Sequence, residues 1–227
     1  MKYGNGWRPA PVDWSSTRGR ILLAASALFA QRGYFGTSTR DIAEAVHIRQ
    51  PSLFHHFDAK QTIFRTLIEL DLGPSIDRLS ERIGEDSTWA EKLHLTAALD
   101  VQDALSQPFD SRGLYQDAVL AQEGFDDERD GIELFHRLVE SLIIGGQRSG
   151  EFVEIDPTFF QRALNGVLFE TIREQGGPDG PIRRGRPLDA ADFLLRAVLV
   201  DPGVLPVVRE TTKRRLADMT APSRMAR

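Results

Sequence analysis

The chain has 227 residues, of which 41% are hydrophobic and 27% charged, and its net charge is −5. That length supplies apolar material for a core and allows two domains. The absence of cysteine excludes disulfides and thiolate metal sites and points to a reducing compartment, the cytoplasm. No apolar run reaches the roughly 18 residues that a membrane-spanning helix needs, and the first residues lack the apolar stretch of a secretory signal.

The charge is unevenly spread. Residues 1–60 hold eight Lys or Arg against four acids, a balance of +4, so the remainder carries −9. A basic head on an acidic body confines any polyanion contact to the head.

In chain order, residues 1–15, with Gly4, Gly6, Pro9 and Pro11, read as a flexible arm whose Trp7 and Trp14 are candidates to dock on the body. Residues 16–60 read as a helix-turn-helix domain and 61–227 as a helical body. The first helix runs from about Ser16 to Arg32, with Ile21, Ala25 and Leu28 on one face and Leu22 and Phe29 beside it. Gly33 ends it. Ser38 with Asp41 three residues on forms a capping-box pattern for a short second helix, whose inward face is Ile42, Ala43 and Val46. A turn at His47-Ile48 leads into a helix from about Gln50 to Phe57, with Pro51 in its first turn and Leu53, Phe54 and Phe57 directed at the core. Asp58 reads as the cap of a fourth helix with Gln61 as box partner, and Gly73-Pro74 as its kink or break. Further helices are expected near 75–84, 89–107, 112–122, 128–148, 157–174, 189–200 and 204–219. No alternating strand pattern occurs, so the fold class is all-α.

A helix that reads a DNA groove must be gripped from behind and carry short polar groups outward. Residues 49–56 meet that need. Gln50 and Ser52 can reach base edges, Pro51 can pack on a thymine methyl, and Arg40 on the preceding helix can reach guanine. Thr39, His55, His56 and Lys60 are placed where phosphates would pass, and Arg49 adds a phosphate-seeking charge. His55-His56 diverge on a helix and have no third ligand nearby, so no metal is expected there.

The run Ile21, Ala25, Leu28-Phe29, Gly33, Thr37-Ser38, Ile42-Ala43, Leu53-Phe54, Phe57 and Lys60 at this spacing resembles the TetR (tetracycline-repressor-like) transcriptional regulators. The resemblance covers residues 16–68; the acidic remainder matches in length, helix content and order. Its Arg40 and Gln50-Pro51 resemble the base-contacting positions of the tetracycline repressor itself. Three positions depart from the family pattern. His47 stands where glycine is usual at a turn that needs φ > 0, Arg49 stands where a small cap is usual, and Phe54 replaces a tyrosine. The resemblance implies a homodimer on double-stranded DNA, a palindromic operator and an unidentified small-molecule effector, with no cofactor.

The same resemblance places the effector cavity among the helices of roughly 61–148. There Gln102 shares a stripe with Leu99, His136 lies beside Phe135 and Val139, and Tyr115 precedes Val119 by one turn. With Leu67, they form the candidate pocket. The broad apolar faces of the helices 157–174 and 189–200 suggest a dimer interface through Phe160, Leu164, Val167, Leu168, Phe193, Leu194, Ala197 and Val198. Acids 126–128 read as helix-dipole partners rather than a cation site. Arg183-Arg184-Gly185-Arg186-Pro187 reads as part of an interhelix loop, and Lys213-Arg214-Arg215 as a solvated helix face. No hydrolase, phosphate-loop or zinc-protease motif occurs, so an enzyme is not expected. The rival reading is a helical ligand-binding or protein-interaction module whose helix-turn-helix no longer works.

Overall fold

The computed structural model describes residues 3, 9–173 and 186–220. The described residues are all-α; their one β feature is an isolated bridge between Phe152 and Leu199. The helices are α1 (Thr17–Arg32), α2 (Thr39–Ala45), α3 (Gln50–Phe54), α4 (Lys60–Ile83), α5 (Trp89–Ser106), α6 (Asp117–Leu120), α7 (Asp126–Ser149), α8 (Pro157–Arg173), α9 (Arg186–Arg196) and α10 (Leu205–Thr220). No described helix is long and apolar enough to cross a membrane. The chain divides into two compact units, Met1–Arg78 with Ser106–Phe135, and Leu79–Leu105 with His136–Arg227.

The first unit contains α1–α3 but extends well past residue 60. Its centre explains why. Phe29 of α1, Tyr34 of the following turn, Phe64 of α4 and Phe125 stack edge to face, with ring centroids 5.2 Å apart for Phe29–Phe64, 4.9 Å for Tyr34–Phe64 and 5.9 Å for Phe64–Phe125. Such pairs add about 0.5–1.5 kcal/mol each beyond the area they bury. A 3-10 turn at Ser111–Gly113 lies against α1 so closely that a Cβ on Gly113 would meet Phe29 backbone carbon at 2.4 Å. Trp14 docks on Phe109 at 5.7 Å, as one of the two candidates for docking; Trp7 lies outside the described residues. Tyr3 is also buried, against Gly131 of α7.

Several expected boundaries move. The pattern near 112–122 is not one helix but the 3-10 turn and the four-residue α6, because the close approach of Gly113 to Phe29 fixes the chain in another path. The segment 75–84 is not separate: α4 runs on through Pro74. Asp58 does not form a capping box with Gln61; its carboxylate takes the Thr62 hydroxyl, and Gln61 Nε2 donates 2.8 Å to the Glu123 carbonyl. α3 stops at Phe54, and the chain tightens into a turn with His56 N and Phe57 N both donating to the Leu53 carbonyl. α9 starts at Arg186 and ends at Arg196, earlier than expected at both ends; residues 183–185 of the basic run lie outside the described residues.

In the second unit, α5 is buried from Lys92 through Leu99, so it is a core helix. His94 is fully buried on it. Its Nδ1 is 2.8 Å from Thr212 Oγ1 of α10, and its Nε2 is 2.9 Å from Asp192 Oδ1 of α9. Arg209 of α10 pairs with the same Asp192 and, at 3.3 Å, with Asp189. The neutral ring fits this arrangement, donating to the carboxylate and accepting from the hydroxyl. Burial pulls the His94 pKa below the ordinary value, against the pull of Asp192 in the other direction. The unfolded chain therefore binds a proton that the folded chain refuses, so stability should be full above about pH 6.5 and fall as pH drops through that value. Denaturant midpoints measured across that range should decline, and His94→Gln should flatten the decline; equal slopes for the two proteins would contradict it.

Candidate nucleic-acid interface

The local sequence fixes the two short helices that carry the interface. Ser38 Oγ accepts from Asp41 N at 3.1 Å while the Asp41 carboxylate accepts from Ser38 N at 2.7 Å, so the capping box is complete. These bonds from Ser38 hold the Asp41 carboxyl below its usual range. At its other end, α2 closes with Ile48 N donating to the Ala43 carbonyl at 3.0 Å and His47 N to the Glu44 carbonyl at 3.1 Å. That pair of bonds is a Schellman closure, which requires a left-handed residue between them. His47 is that residue, with φ 57°. It fills the glycine position at a cost of about 1–2 kcal/mol.

α3 is five residues long, far below the length at which a helix persists alone. Its grip comes from behind. Leu53 is fully buried and Phe57 nearly so. Arg18 of α1 lies 4.0 Å over the Phe57 ring and donates 2.9 Å to the His56 carbonyl, tying the end of the recognition element to α1. Arg18 was not foreseen, since 38 residues separate the partners and no local pattern joins them.

The outer edge is open. Arg49, Gln50, Pro51, Ser52, Phe54, His55 and His56 are all exposed, and Thr39 is half-buried. Phe54 is 46% exposed rather than in the core: it is the last residue of α3, one position round the helix from the buried Leu53. Two side-chain bonds order this edge. Gln50 Nε2 donates 2.9 Å to Thr39 Oγ1, which leaves Oε1 and one amide hydrogen facing out. Arg40 Nε donates 2.9 Å to Glu44 Oε1.

Lys60 departs from its expected role. Its Nζ donates at 2.7 Å to both the Tyr34 and the Thr37 carbonyls and lies 4.0 Å over the Tyr34 ring. It closes the α1–α2 connection instead of standing ready for a phosphate. Lys60→Met should lower stability by about 1–3 kcal/mol by stranding those carbonyls, while leaving the salt dependence of DNA binding unchanged. Arg49→Ala should instead reduce that salt slope by about one with stability unaltered. Titrations at several salt concentrations beside denaturant curves would separate the two; a reduced slope for Lys60→Met would return it to the phosphate set.

The other candidate residues lie in both units. In the first, Leu67 and Val119 are buried, Phe135 is half-buried, and the Tyr115 hydroxyl donates 2.5 Å to Asp71. In the second, Leu99 and Val139 are buried, Gln102 is half-buried and His136 Nε2 is 3.1 Å from Asn165. A separate open cleft of about 490 Å³ in the second unit is lined by Ile83, Trp89, Ser141, Ile144, Gly145 and Arg148 among others, none of them foreseen. Among the described residues no cluster of His, Asp and Glu has the makings of a metal site.

On α8 and α9 the expected contact set divides. Phe160, Leu164, Leu168, Leu194 and Val198 are buried within the chain itself, so their side chains are not available to a partner. Val167 is half-buried, and Phe193 and Ala197 are exposed. The exposed apolar side is one helical step round: Phe159, Ala163 and Gly166 on α8, with Phe193, Ala197 and then Val200 at and beyond α9.

The family model for bacterial regulatory proteins of the tetR family matches residues 21–67. The transcriptional repressor KstR2 of Rhodococcus jostii (strain RHA1) is 29% identical over 175 residues, which is 73% of this chain and 84% of that protein. The negative transcriptional regulator IcaR of the Staphylococcus aureus biofilm operon is 40% identical over 50 residues, 22% of this chain and 27% of IcaR. The crystal structure of Mycobacterium smegmatis AmtR superposes with a TM-score of 0.78 at 24% identity, over 92% of this chain and 98% of that one.

Proposed function

We propose that the chain is a repressor of the TetR family of DNA-binding transcriptional regulators, a reading supported by the family-model match over residues 21–67 and the similarity to KstR2. It acts in the cytoplasm as a homodimer whose two heads read a palindromic operator. The observation that supports this reading is the outward edge of α3, with Gln50, Pro51 and Ser52 exposed while Leu53 and Phe57 are buried behind them and Arg18 holds the far end. Residues 16–60 are the reading head in this proposal and 61–227 the controlling body. Thr39, Arg40, Gln50, Pro51 and Ser52 meet bases or adjoining phosphates; Arg49, Phe54, His55 and His56 meet the sugar-phosphate backbone.

The exposed apolar stripe on α8 and α9 supports dimerisation. Two copies related by a twofold axis would bury it against itself and set two α3 helices one turn of duplex apart, about 34–36 Å. A small molecule taken up by the body controls binding, and the half-buried polar side chains of Gln102 and His136 in the second unit are its candidate contacts. It acts by favouring the conformation that does not bind DNA, since equal affinity for both states would change nothing.

Selection from a pool of randomised duplex tests the reading. The protein should enrich a two-fold symmetric site, with affinity falling steeply as salt rises. Equal retention of every duplex, or of none, would contradict it.

A further inference from the structure

We infer that Glu44 is a positioning residue for base recognition, holding Arg40 so that it reads guanine end-on. The inference rests on the reading of Arg40 given above and adds a residue to it.

The geometry points there directly. Arg40 and Glu44 are four apart on α2, and helical side chains lean toward the N-terminus, which brings the Glu44 carboxylate back over Arg40. One bond joins them, from Arg40 Nε to Glu44 Oε1 at 2.9 Å. Both terminal nitrogens of the guanidinium, Nη1 and Nη2, are left without a described partner. Guanine offers two acceptors, O6 and N7, to a pair of parallel N–H groups. With Nε occupied, the pair that remains is Nη1 and Nη2, so the fork is presented end-on.

The same bond sets the charge. The two side chains are 76% and 63% exposed, so their attraction contributes little to stability. Beside DNA, however, the carboxylate offsets the Arg40 charge toward the phosphates. Arg40 then discriminates between bases more than it adds to general attraction for any duplex. Removing the carboxylate should therefore move two quantities in opposite directions, which loss of folded structure cannot do.

The test uses the full chain and the symmetric site enriched from a randomised duplex pool. Glu44→Gln keeps size and polarity and removes the charge. It should bind unrelated duplex more tightly, steepen the salt dependence by about one in log–log slope, and discriminate about tenfold less at the guanine position lost in Arg40→Ala. In the Arg40→Ala background, Glu44→Gln should leave guanine discrimination unchanged. If Arg40→Ala leaves all guanine positions intact, the underlying reading of Arg40 fails. If Arg40→Ala loses a guanine and Glu44→Gln keeps it, the reading of Arg40 stands and the role of Glu44 is overturned. Circular dichroism of each variant, with Glu44→Ala as a second, confirms that the comparison is between folded proteins; a discrimination loss matched by equal loss on unrelated duplex would also overturn it.

Discussion

Phe193→Glu should convert the proposed homodimer to a monomer and weaken operator binding by about 10²–10⁴-fold. Phe193 is 63% exposed on α9, on the same side as Ala197 and Val200, and Phe159 on α8 is equally bare at 63%. A phenylalanine moved from water into an interface contributes about 1.5–3 kcal/mol. In a twofold interface each substitution acts on both subunits, and the introduced carboxylate would also have to be desolvated without a partner. The second head of a dimer binds as an intramolecular event, and losing that linkage removes the stated factor without altering any DNA contact. Sedimentation with shift assays on the enriched site would check both parts. A variant that stays dimeric would move the interface to another surface. Phe160→Ala is the contrasting case, because that ring is inside the subunit and its loss should appear as lowered stability.

Leu53→Ala should cost about 2–5 kcal/mol of folding stability and, with it, DNA binding. The side chain is fully buried and is the one buried residue of a five-residue helix that has no side-chain cap. Arg49 at the capping position offers α3 only its backbone carbonyl, which Ser52 N and Leu53 N share at 2.9 and 3.3 Å. The helix therefore owes its existence to what lies behind it. Phe54→Ala, by contrast, removes an exposed ring and should leave stability within about 0.5 kcal/mol while weakening DNA contact. Urea unfolding of both variants would check the difference. A midpoint for Leu53→Ala matching that of the unaltered protein would refute the account of how α3 is held.

The parts of the site legible in the sequence were those set by neighbours along the chain. Ser38 and Asp41 are three apart, Pro51 follows Gln50, and His47 occupies a turn whose left-handed backbone is dictated by the bonds on either side. What stayed hidden depended on distant partners. The carbonyls that take the Lys60 ammonium belong to Tyr34 and Thr37, and the carbonyl that takes Arg18 belongs to His56. Helical spacing places Phe54 inward beside Leu53 and Phe57, but it is the last residue of the short α3, and only Leu53 and Phe57 are buried. On α8 and α9 the expected contact set mixes residues that the subunit buries, such as Phe160 and Leu194, with exposed ones, such as Phe193 and Ala197, for another reason. These helices are apolar on two sides, and composition does not reveal which side the subunit keeps for itself.

The contact of Gly113 with the Phe29 backbone, together with Phe125 in the aromatic cluster, bears on how hybrid regulators can be assembled. A splice that takes the head up to residue 60 and grafts it to a foreign body would leave Phe29 and Tyr34 without Phe64 and Phe125, and α1 without its flat glycine seat. Exchangeable cassettes cut from this protein should carry the stretch Ser106–Phe135 along with the head, so that each recombined half arrives with its aromatic filling complete.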